Sequence, residues 1–91
     1  MAAVQRKADA NTGGGTISST AQSTVYANSK LISVNGSTVA THPAGAGVHA
    51  GATTANGSST VFAGGIAINR TGDADSCTHA RIGGSSDVFV G

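Results

Sequence analysis

Three histidines and one cysteine are the residues of this chain whose types could do chemistry: His42, His49, Cys77 and His79. Cys77 and His79 are two positions apart, so in an extended segment their side chains would point to one face. His42 and His49 enclose the stretch "PAGAGV", whose proline and glycines would let both imidazoles turn inward. One thiolate and three imidazoles form a closed tetrahedral set that suits Zn²⁺ and would also accept Fe²⁺.

A metal would matter because the hydrophobic core must be thin. The 91 residues include no Trp, one Tyr and two Phe, together with 14 glycines. Small domains of this kind usually need a disulfide, a metal or a partner chain, and a single cysteine excludes an internal disulfide. We therefore predict one structural metal ion, Zn²⁺ before Fe²⁺, held by the four residues above. Taken singly, each has a plainer reading: a hydrogen-bonded or surface histidine, or a small buried cysteine.

The same residues could serve an enzyme, with Cys77 as nucleophile and a histidine as its base. That pair would need an orienting group and a lined pocket, for which so few aromatic residues leave little room. Asp73 and Asp75 flank a turn, and we expect them to be solvated. The stretch "NTGGGT" (11–16) lacks the Lys-Ser/Thr of a phosphate-binding loop, so we expect a plain turn. We predict no catalytic residue and no enzymatic activity.

Charge and hydropathy exclude several classes of partner. The formal net charge is +1, and the five basic residues are scattered rather than clustered. We therefore expect no nucleic-acid partner. Because there is little room for a lined pocket, we also expect no small-molecule substrate. No apolar run approaches the roughly 20 residues of a membrane span, and "MAAVQRKADA" has no signal-peptide core. We expect synthesis in the cytosol without export by the usual signal, in keeping with one reduced cysteine.

Every aromatic residue follows a valine, in an irregular threefold repeat. The copies are "STVYAN" (23–28), "STVFAG" (59–64) and "SDVFVG" (86–91), spaced by 36 and 27 residues. The first two continue as a strand, a turn at Asn28-Ser29 or Gly64-Gly65, a second strand and a turn at Asn35-Gly36 or Thr71-Gly72. The third stops at Gly91, and we expect "RKADANTGGGTISS" near the N-terminus to supply what it lacks.

These patterns predict one all-β domain over residues 1–91, a small pseudo-threefold cone of short hairpins with glycine-rich turns. No segment has convincing helical periodicity and caps. Disorder is the alternative for a chain so rich in Gly, Ser, Thr and Ala. However, disordered chains are rich in charge and proline, and this chain has only one proline and few charged residues (five basic and four acidic).

Three segments resemble the PAAR-repeat proteins, which form the pointed tips of contractile injection machines. "TGDADSCTHARIGGSSDVFVG" (71–91) resembles the family's Gly-Asp, Cys-x-His and Gly-Ser-x-x-Val pattern. "NSKLISVNGSTVATH" (28–42) resembles a preceding repeat, and "RKADANTGGGTI" (6–17) the opening segment. The chain departs from the pattern too. The Pro-Ala-Ala-Arg signature is not intact, Ala8 replaces a usual glycine, and no histidine stands at Asn11, Thr12 or Gly13, where a ligand is often found.

The resemblance implies a structural tip with a metal near its apex and a flat base on a trimeric β-helical spike, one tip per trimer. It would help that spike to breach the target cell envelope. The virion tail of a phage is favoured over a type VI secretion spike, since the chain has no extension to act as a toxin. The candidate partner-binding residues come from the repeat: Val25, Tyr26, Val61, Phe62, Val88 and Phe89.

A binding module of another class is the alternative function. A Thr/Ala/Gly-rich β-fold could bind ice or adhere to a surface. It would need regular Thr-x-Thr rows on a flat face, whereas the threonines here, such as Thr53-Thr54 and Thr60, are irregularly placed.

Overall fold

Short antiparallel strands and turns build the described chain. A computed structural model describes residues 1–44 and 47–91, with the backbone alone for Pro43, Ala44 and His49. No helix occurs among these residues, which confirms the all-β class. Accordingly, none of them belongs to a helix long and apolar enough to cross a membrane. The strands are β1 (Ala2–Ala3), β2 (Ile17–Ser19), β3 (Tyr26–Ala27), β4 (Lys30–Leu31), β5 (Thr38–Val39), β6 (His42–Ala44), β7 (Gly47–His49), β8 (Phe62–Ala63), β9 (Ile66–Ala67) and β10 (Phe89–Val90).

Three of the strand pairs are copies of one hairpin, with matching register. Tyr26 pairs with Leu31 in hairpin A (β3–β4), and Phe62 pairs with Ala67 in hairpin B (β8–β9). In hairpin C, β10 pairs with β1, and Phe89 lies opposite Ala3. The hairpins are tight because the turn residues of A and B, Asn28-Ser29 and Gly64-Gly65, all take positive φ.

The N-terminal partner of hairpin C differs from the one that the sequence suggested. The strand that completes this hairpin is β1, at Ala2–Ala3, which precedes the expected segment 6–19. Two alanines carry no strand signal of their own, so the pairing is decided by the fold rather than by local preference. The segment beginning at Arg6 instead supplies the turn that follows the hairpin.

Each hairpin opens on a side chain that accepts two backbone hydrogen bonds. Ser58 Oγ accepts from the amides of Thr60 and Val61 at 3.1 and 3.0 Å. Gln22 Oε1 and Ser85 Oγ accept from the corresponding amides in the other two copies. Such a local bond sets the direction of the chain as it enters a strand.

A closed ring of backbone hydrogen bonds joins the three copies. Ser33 N donates to Gln5 O at 2.9 Å, Asn69 N to Ser33 O at 3.0 Å, and Gln5 N to Asn69 O at 3.0 Å. All three residues have 0% exposure. Since each copy donates to one neighbour and accepts from the other, the arrangement has pseudo-threefold symmetry within a single chain.

The hydrophobic core lies around this ring. Its members from the three copies are equivalent in position: Val4 at 0% exposure, Ile32 at 5% and Ile68 at 4%. The valines of the repeat are partly buried and pack against the core. Alternation along a strand then sends the aromatic neighbours outward, and these are exposed: Tyr26 by 59%, Phe62 by 56% and Phe89 by 49%.

A matching turn follows the second strand of each hairpin. In two of the three turns an arginine and an aspartate pair at 2.9 Å, Arg6 with Asp9 and Arg70 with Asp73. In each case the carboxylate also accepts the backbone amide of its arginine at 2.8 Å. Asp73 is therefore bonded rather than simply solvated, contrary to expectation. The third turn uses Ser37, whose Oγ accepts the Val34 amide at 3.2 Å.

Three loops follow these turns, each closed by an isolated bridge. Loop 1 spans residues 10–16, loop 2 spans 38–53 and loop 3 spans 74–80. Each loop also pairs with the residue that directly follows another loop, and the three pairs form a cycle. Asn11 bridges to Arg81, Ile17 pairs with Val39, and Thr54 bridges to Asp75. The described chain measures 36 × 23 × 22 Å, one long axis and two nearly equal short ones, as a body of threefold character would have.

Candidate metal site

The three loops bring one cysteine and two histidines together. His42 comes from β6 in loop 2, whereas Cys77 and His79 come from loop 3. His42 Nε2 and His79 Nδ1 lie 3.0 Å apart, and Cys77 Sγ lies 3.6 Å from the first and 3.7 Å from the second. The planes of the two imidazole rings are tilted by 52° to each other, so the rings are not stacked face to face. The short distance between Nε2 and Nδ1 shows that these two nitrogens converge.

These separations fit a tetrahedral metal ion. With ordinary Zn–N and Zn–S bond lengths, two nitrogens on one Zn²⁺ lie about 3.3 Å apart, and a nitrogen and a sulfur about 3.6 Å apart. The observed distances of 3.0, 3.6 and 3.7 Å are close to these values. The group can therefore bind a metal ion, and its donor types suit Zn²⁺ or Fe²⁺.

His42 is oriented by its other ring nitrogen. Its Nδ1 lies 2.8 Å from the carbonyl oxygen of Ala40, which can only accept a hydrogen bond. Nδ1 must therefore carry the proton, which leaves a lone pair on Nε2 of the neutral ring. A backbone carbonyl of this kind sets the tautomer and the ring direction of many metal-binding histidines. Only 3% of His42 is exposed, so the ring is held by its surroundings.

Two glycines of loop 1 make room for the imidazoles. A Cβ at Gly13 would lie 2.3 Å from His79 Cε1 and 2.4 Å from His79 Nδ1. A Cβ at Gly15 would lie 2.5 Å from His42 Nδ1. Any other residue at either position would push a ring aside. The stretch "NTGGGT" is thus more than the plain turn that we expected, since it forms the wall against which the two rings pack.

Loops 1 and 3 have the same backbone structure but different residues at equivalent positions. The Asn11 amide donates to Gly15 O, as the Asp75 amide donates to His79 O. The central residues match too, because Gly14 has a φ of 84° and Thr78 a φ of 74°. Counted from these residues, Gly13 takes the place of Cys77, and Gly15 that of His79. One loop therefore supplies donor atoms, and its copy supplies the space for them.

A buried polar cluster lies behind Cys77. Arg81 and Asp75 form an ion pair at 2.8 Å with both side chains at 0% exposure. Burial lowers the pKa of Arg81 from its ordinary value, and the Asp75 carboxylate opposes that shift. Arg81 Nε also donates to Gln5 Oε1, and its Nη2 donates to Asp9 O and Gly15 O. Asp75 is thus buried and paired, so the expectation that it is solvated was wrong.

Asn11 connects this ion pair to the cysteine. Its Nδ2 lies 2.9 Å from Asp75 Oδ2 and 3.8 Å from Cys77 Sγ. The other carboxylate oxygen of Asp75 accepts no hydrogen bond from the described residues. Neither Asn11 nor the Asp75–Arg81 pair was singled out from the sequence. A signal existed, however, because "DANT" (9–12) and "DADS" (73–76) begin the two equivalent loops.

Three of the four predicted metal-ligating residues are brought together. The fourth, His49, lies in β7, where its backbone pairs with that of His42. Its side chain falls outside the part of the chain that the structure describes. Cys77 and His79 do not lie on an extended segment, since Thr78 between them has a positive φ of 74°. A turn, rather than strand alternation, aims both donors at His42.

Comparison with known proteins adds no assignment. No protein-family model matches this chain, and a search of the curated proteins found no match either.

Proposed function

We propose that this chain is a structural tip protein of the PAAR type, which caps and sharpens the trimeric β-helical spike of a contractile injection machine. The observation that carries the proposal is the closed ring of Gln5, Ser33 and Asn69, around which one chain repeats the same hairpin three times. The proposed setting is the tip of a phage tail or of a type VI secretion spike, where the tip would help to pierce the target cell envelope.

Pseudo-threefold symmetry suits a single chain that must close a trimer. A trimeric β-helix ends in three identical sets of exposed strand edges, which are sites of aggregation unless they are covered. One chain with three similar hairpins can offer a similar surface to each of the three subunits. The internal threefold symmetry therefore favours a cap on a trimer over a generic small β-fold.

Three aromatic side chains are the candidate contacts with the spike. Tyr26, Phe62 and Phe89 occupy the same register position in hairpins A, B and C, respectively, and are about half exposed. Large aromatic side chains are enriched at protein interfaces relative to the rest of the surface. Val25, Val61 and Val88 pack against the core and would act by holding these rings in place.

A titration against a trimeric β-helical spike fragment tests the capping proposal. We expect a complex of one chain per trimer, and loss of that complex when Tyr26, Phe62 and Phe89 are all replaced by serine. Ile82→Ser is the matched control, because Ile82 is also a large apolar residue with 46% exposure, outside the hairpins. Failure of the unchanged chain to bind such a spike would refute capping. Undiminished binding by the triple variant would refute the three aromatic residues as its contacts.

The metal site would supply the stability that the small core lacks. We propose that one Zn²⁺, or less favourably Fe²⁺, is held by His42, Cys77 and His79, with His49 as the fourth ligand. The backbone register of His49 opposite His42 supports that choice. Structural zinc contributes about 10–16 kcal/mol of apparent binding free energy in small domains, which is then available to folding.

Elemental analysis of protein purified without added metal tests this part. We expect about one Zn or Fe per chain, and almost none in Cys77→Ser or in His49→Ala. Ser76→Ala is the matched control, since Ser76 is the exposed neighbour of Cys77. If the chain were purified without metal and were as thermally stable as after addition of Zn²⁺, the metal site would be rejected. Full metal loading of His49→Ala would reject only His49 as the fourth ligand.

A further inference from the structure

The side chain of Asn11 uses its whole hydrogen-bonding capacity in a buried position. Its Oδ1 accepts from the amides of Gly13 and Gly15 at 2.9 and 2.8 Å. Its Nδ2 donates to Asp75 Oδ2 at 2.9 Å and lies 3.8 Å from Cys77 Sγ. Asn11 is only 1% exposed, so water does not compete for these bonds. One residue thus contacts both the glycine wall and the cysteine.

The orientation of this amide is settled by its neighbours. Turning the amide over would set Oδ1 against the Asp75 carboxylate, which only accepts, and would set the NH₂ group against the amides of Gly13 and Gly15, which only donate. Asp75 is in turn held by Arg81, whose guanidinium is anchored to Asp9 O and Gly15 O at 2.7 and 3.1 Å. The direction of the Asn11 N–H groups is therefore set by the hydrogen bonds that hold Asp75 and Arg81 in place.

An uncharged donor is the group that this position requires. A thiolate at Cys77 and the carboxylate of Asp75 would repel each other across a dry interior, where such repulsion is strong. An amide with two N–H groups can serve both anions at once. A carboxylate would add a third negative charge, and an apolar side chain would leave both anions without that donor.

We propose that Asn11 is a positioning residue for the metal site, which directs one N–H at the Cys77 sulfur and so fixes the thiolate and moderates its charge when a metal is bound. The proposal rests on the metal site proposed above. Groups that hydrogen-bond to ligands tune a metal site, and their removal typically lowers metal affinity about 10–100-fold.

Asn11→Asp separates this role from the support of loop 1. Aspartate keeps an oxygen for the amides of Gly13 and Gly15 but has no N–H to offer the sulfur. In the full chain loaded with Co²⁺, the thiolate-to-metal charge-transfer band should move to longer wavelength. The reason is that a sulfur without its hydrogen bond gives up electron density more easily. Competition with a chromophoric chelator should show that Zn²⁺ affinity falls about 10–100-fold.

A second variant keeps the test valid if the added charge of Asn11→Asp unfolds the chain. Asn11→Asp combined with Asp75→Asn keeps the net charge of the cluster while residue 11 still lacks a donor. Asn69→Asp is the matched control, because Asn69 is equally buried but bonds to Asn35 and Asn56 instead of Cys77. It should lower stability and leave the cobalt band unmoved.

The outcomes separate the two proposals. An unchanged chain that takes up no Co²⁺ or Zn²⁺ would overturn the metal site, and the role of Asn11 with it. An unchanged chain that binds metal, while Asn11→Asp and the exchange variant keep the same band and affinity, would overturn the role of Asn11 alone. A shifted band in both variants, with none in Asn69→Asp, is the result we expect.

Discussion

At the scale of single residues, the absence of a side chain is as decisive as the presence of a donor. Gly13 and Gly15 lie where a Cβ would collide with the imidazoles of His79 and His42. These contacts are far shorter than van der Waals separation, and the rings are packed too closely to retreat without losing their convergence.

Gly13→Ala should therefore lower metal affinity by about 10–100-fold, as disturbed support of a ligand does elsewhere. Gly47→Ala is the control, because a Cβ there meets no atom of the described residues within 4 Å. Chelator competition on both variants measures the effect. Equal affinities for the two variants would mean that the imidazoles are not held against loop 1.

Ala8 carries a strain that its two counterparts avoid. It has a φ of 78°, and the equivalent positions in the other turns are Gly36 at 87° and Gly72 at 95°. A left-handed conformation costs a residue with a Cβ about 1–2 kcal/mol, whereas glycine adopts it freely.

Ala8→Gly should raise the free energy of unfolding by about 0.5–1 kcal/mol, once the greater freedom of glycine in the unfolded chain is subtracted. Urea denaturation measures this change. Ala50→Gly, at an exposed position without a positive φ, should instead lower it. A loss of stability in Ala8→Gly would show that the turn is not strained.

At the scale of elements, the three equivalent turns use two kinds of side chain to accept a backbone amide. Each turn must provide an acceptor for a backbone amide. Asp73 accepts the Arg70 amide and also forms an ion pair with Arg70, whereas Ser37 accepts the Val34 amide and donates its hydroxyl to Val34 O, without an ion pair. The pair of Arg70 and Asp73 is partly exposed, so its own contribution to stability should be small.

Asp73→Ser should then cost about 0.5 kcal/mol, since it reproduces the turn at Ser37 and loses only the ion pair. Asp73→Ala should cost about 1–2 kcal/mol, because the Arg70 amide also loses its acceptor. Denaturation at low and high salt checks the division. High salt should reduce the difference in free energy of unfolding between the parent chain and Asp73→Ser. It should not change the difference between Asp73→Ser and Asp73→Ala. Equal costs for the two variants would contradict it.

At the scale of the whole molecule, the third hairpin is closed by strands from the two ends of this chain. Hairpins A and B each have two residues between their strands, Asn28-Ser29 and Gly64-Gly65. Gly91 and Met1 occupy the same two positions in hairpin C, beyond the pair of Val90 with Ala2. A direct bond between them would complete the same tight turn.

We therefore expect a chain cyclised from Gly91 to residue 1, with Met1→Gly to allow positive φ, to keep the fold and to be more stable by a few kcal/mol. The gain comes from the lower entropy of the unfolded closed chain. Thermal unfolding of the cyclic and linear forms of this Met1→Gly variant measures it. A cyclic form of lower stability would mean that hairpin C is not equivalent to A and B.

Much of the element structure followed from the sequence. The valine-aromatic repeat predicted hairpins A and B and their turns, because alternation and the turn pairs Asn28-Ser29 and Gly64-Gly65 are local signals. The all-β class followed from the same signals. The pairing of β10 with Ala2–Ala3 did not, since two alanines carry no preference and their place depends on closure of the ring.

The donor types were likewise determined by the sequence, and their arrangement by the tertiary structure. One cysteine and three histidines in a chain with little other chemistry predicted a metal site. Only the packing of loop 3 against loops 1 and 2 decided that Asp75 is buried with Arg81 and that glycines face the imidazoles. The physical reason is range: residue type and alternation act over a few positions. The contacts that aim Cys77, His79 and His42 join segments that are far apart in the chain and meet only when the threefold ring closes.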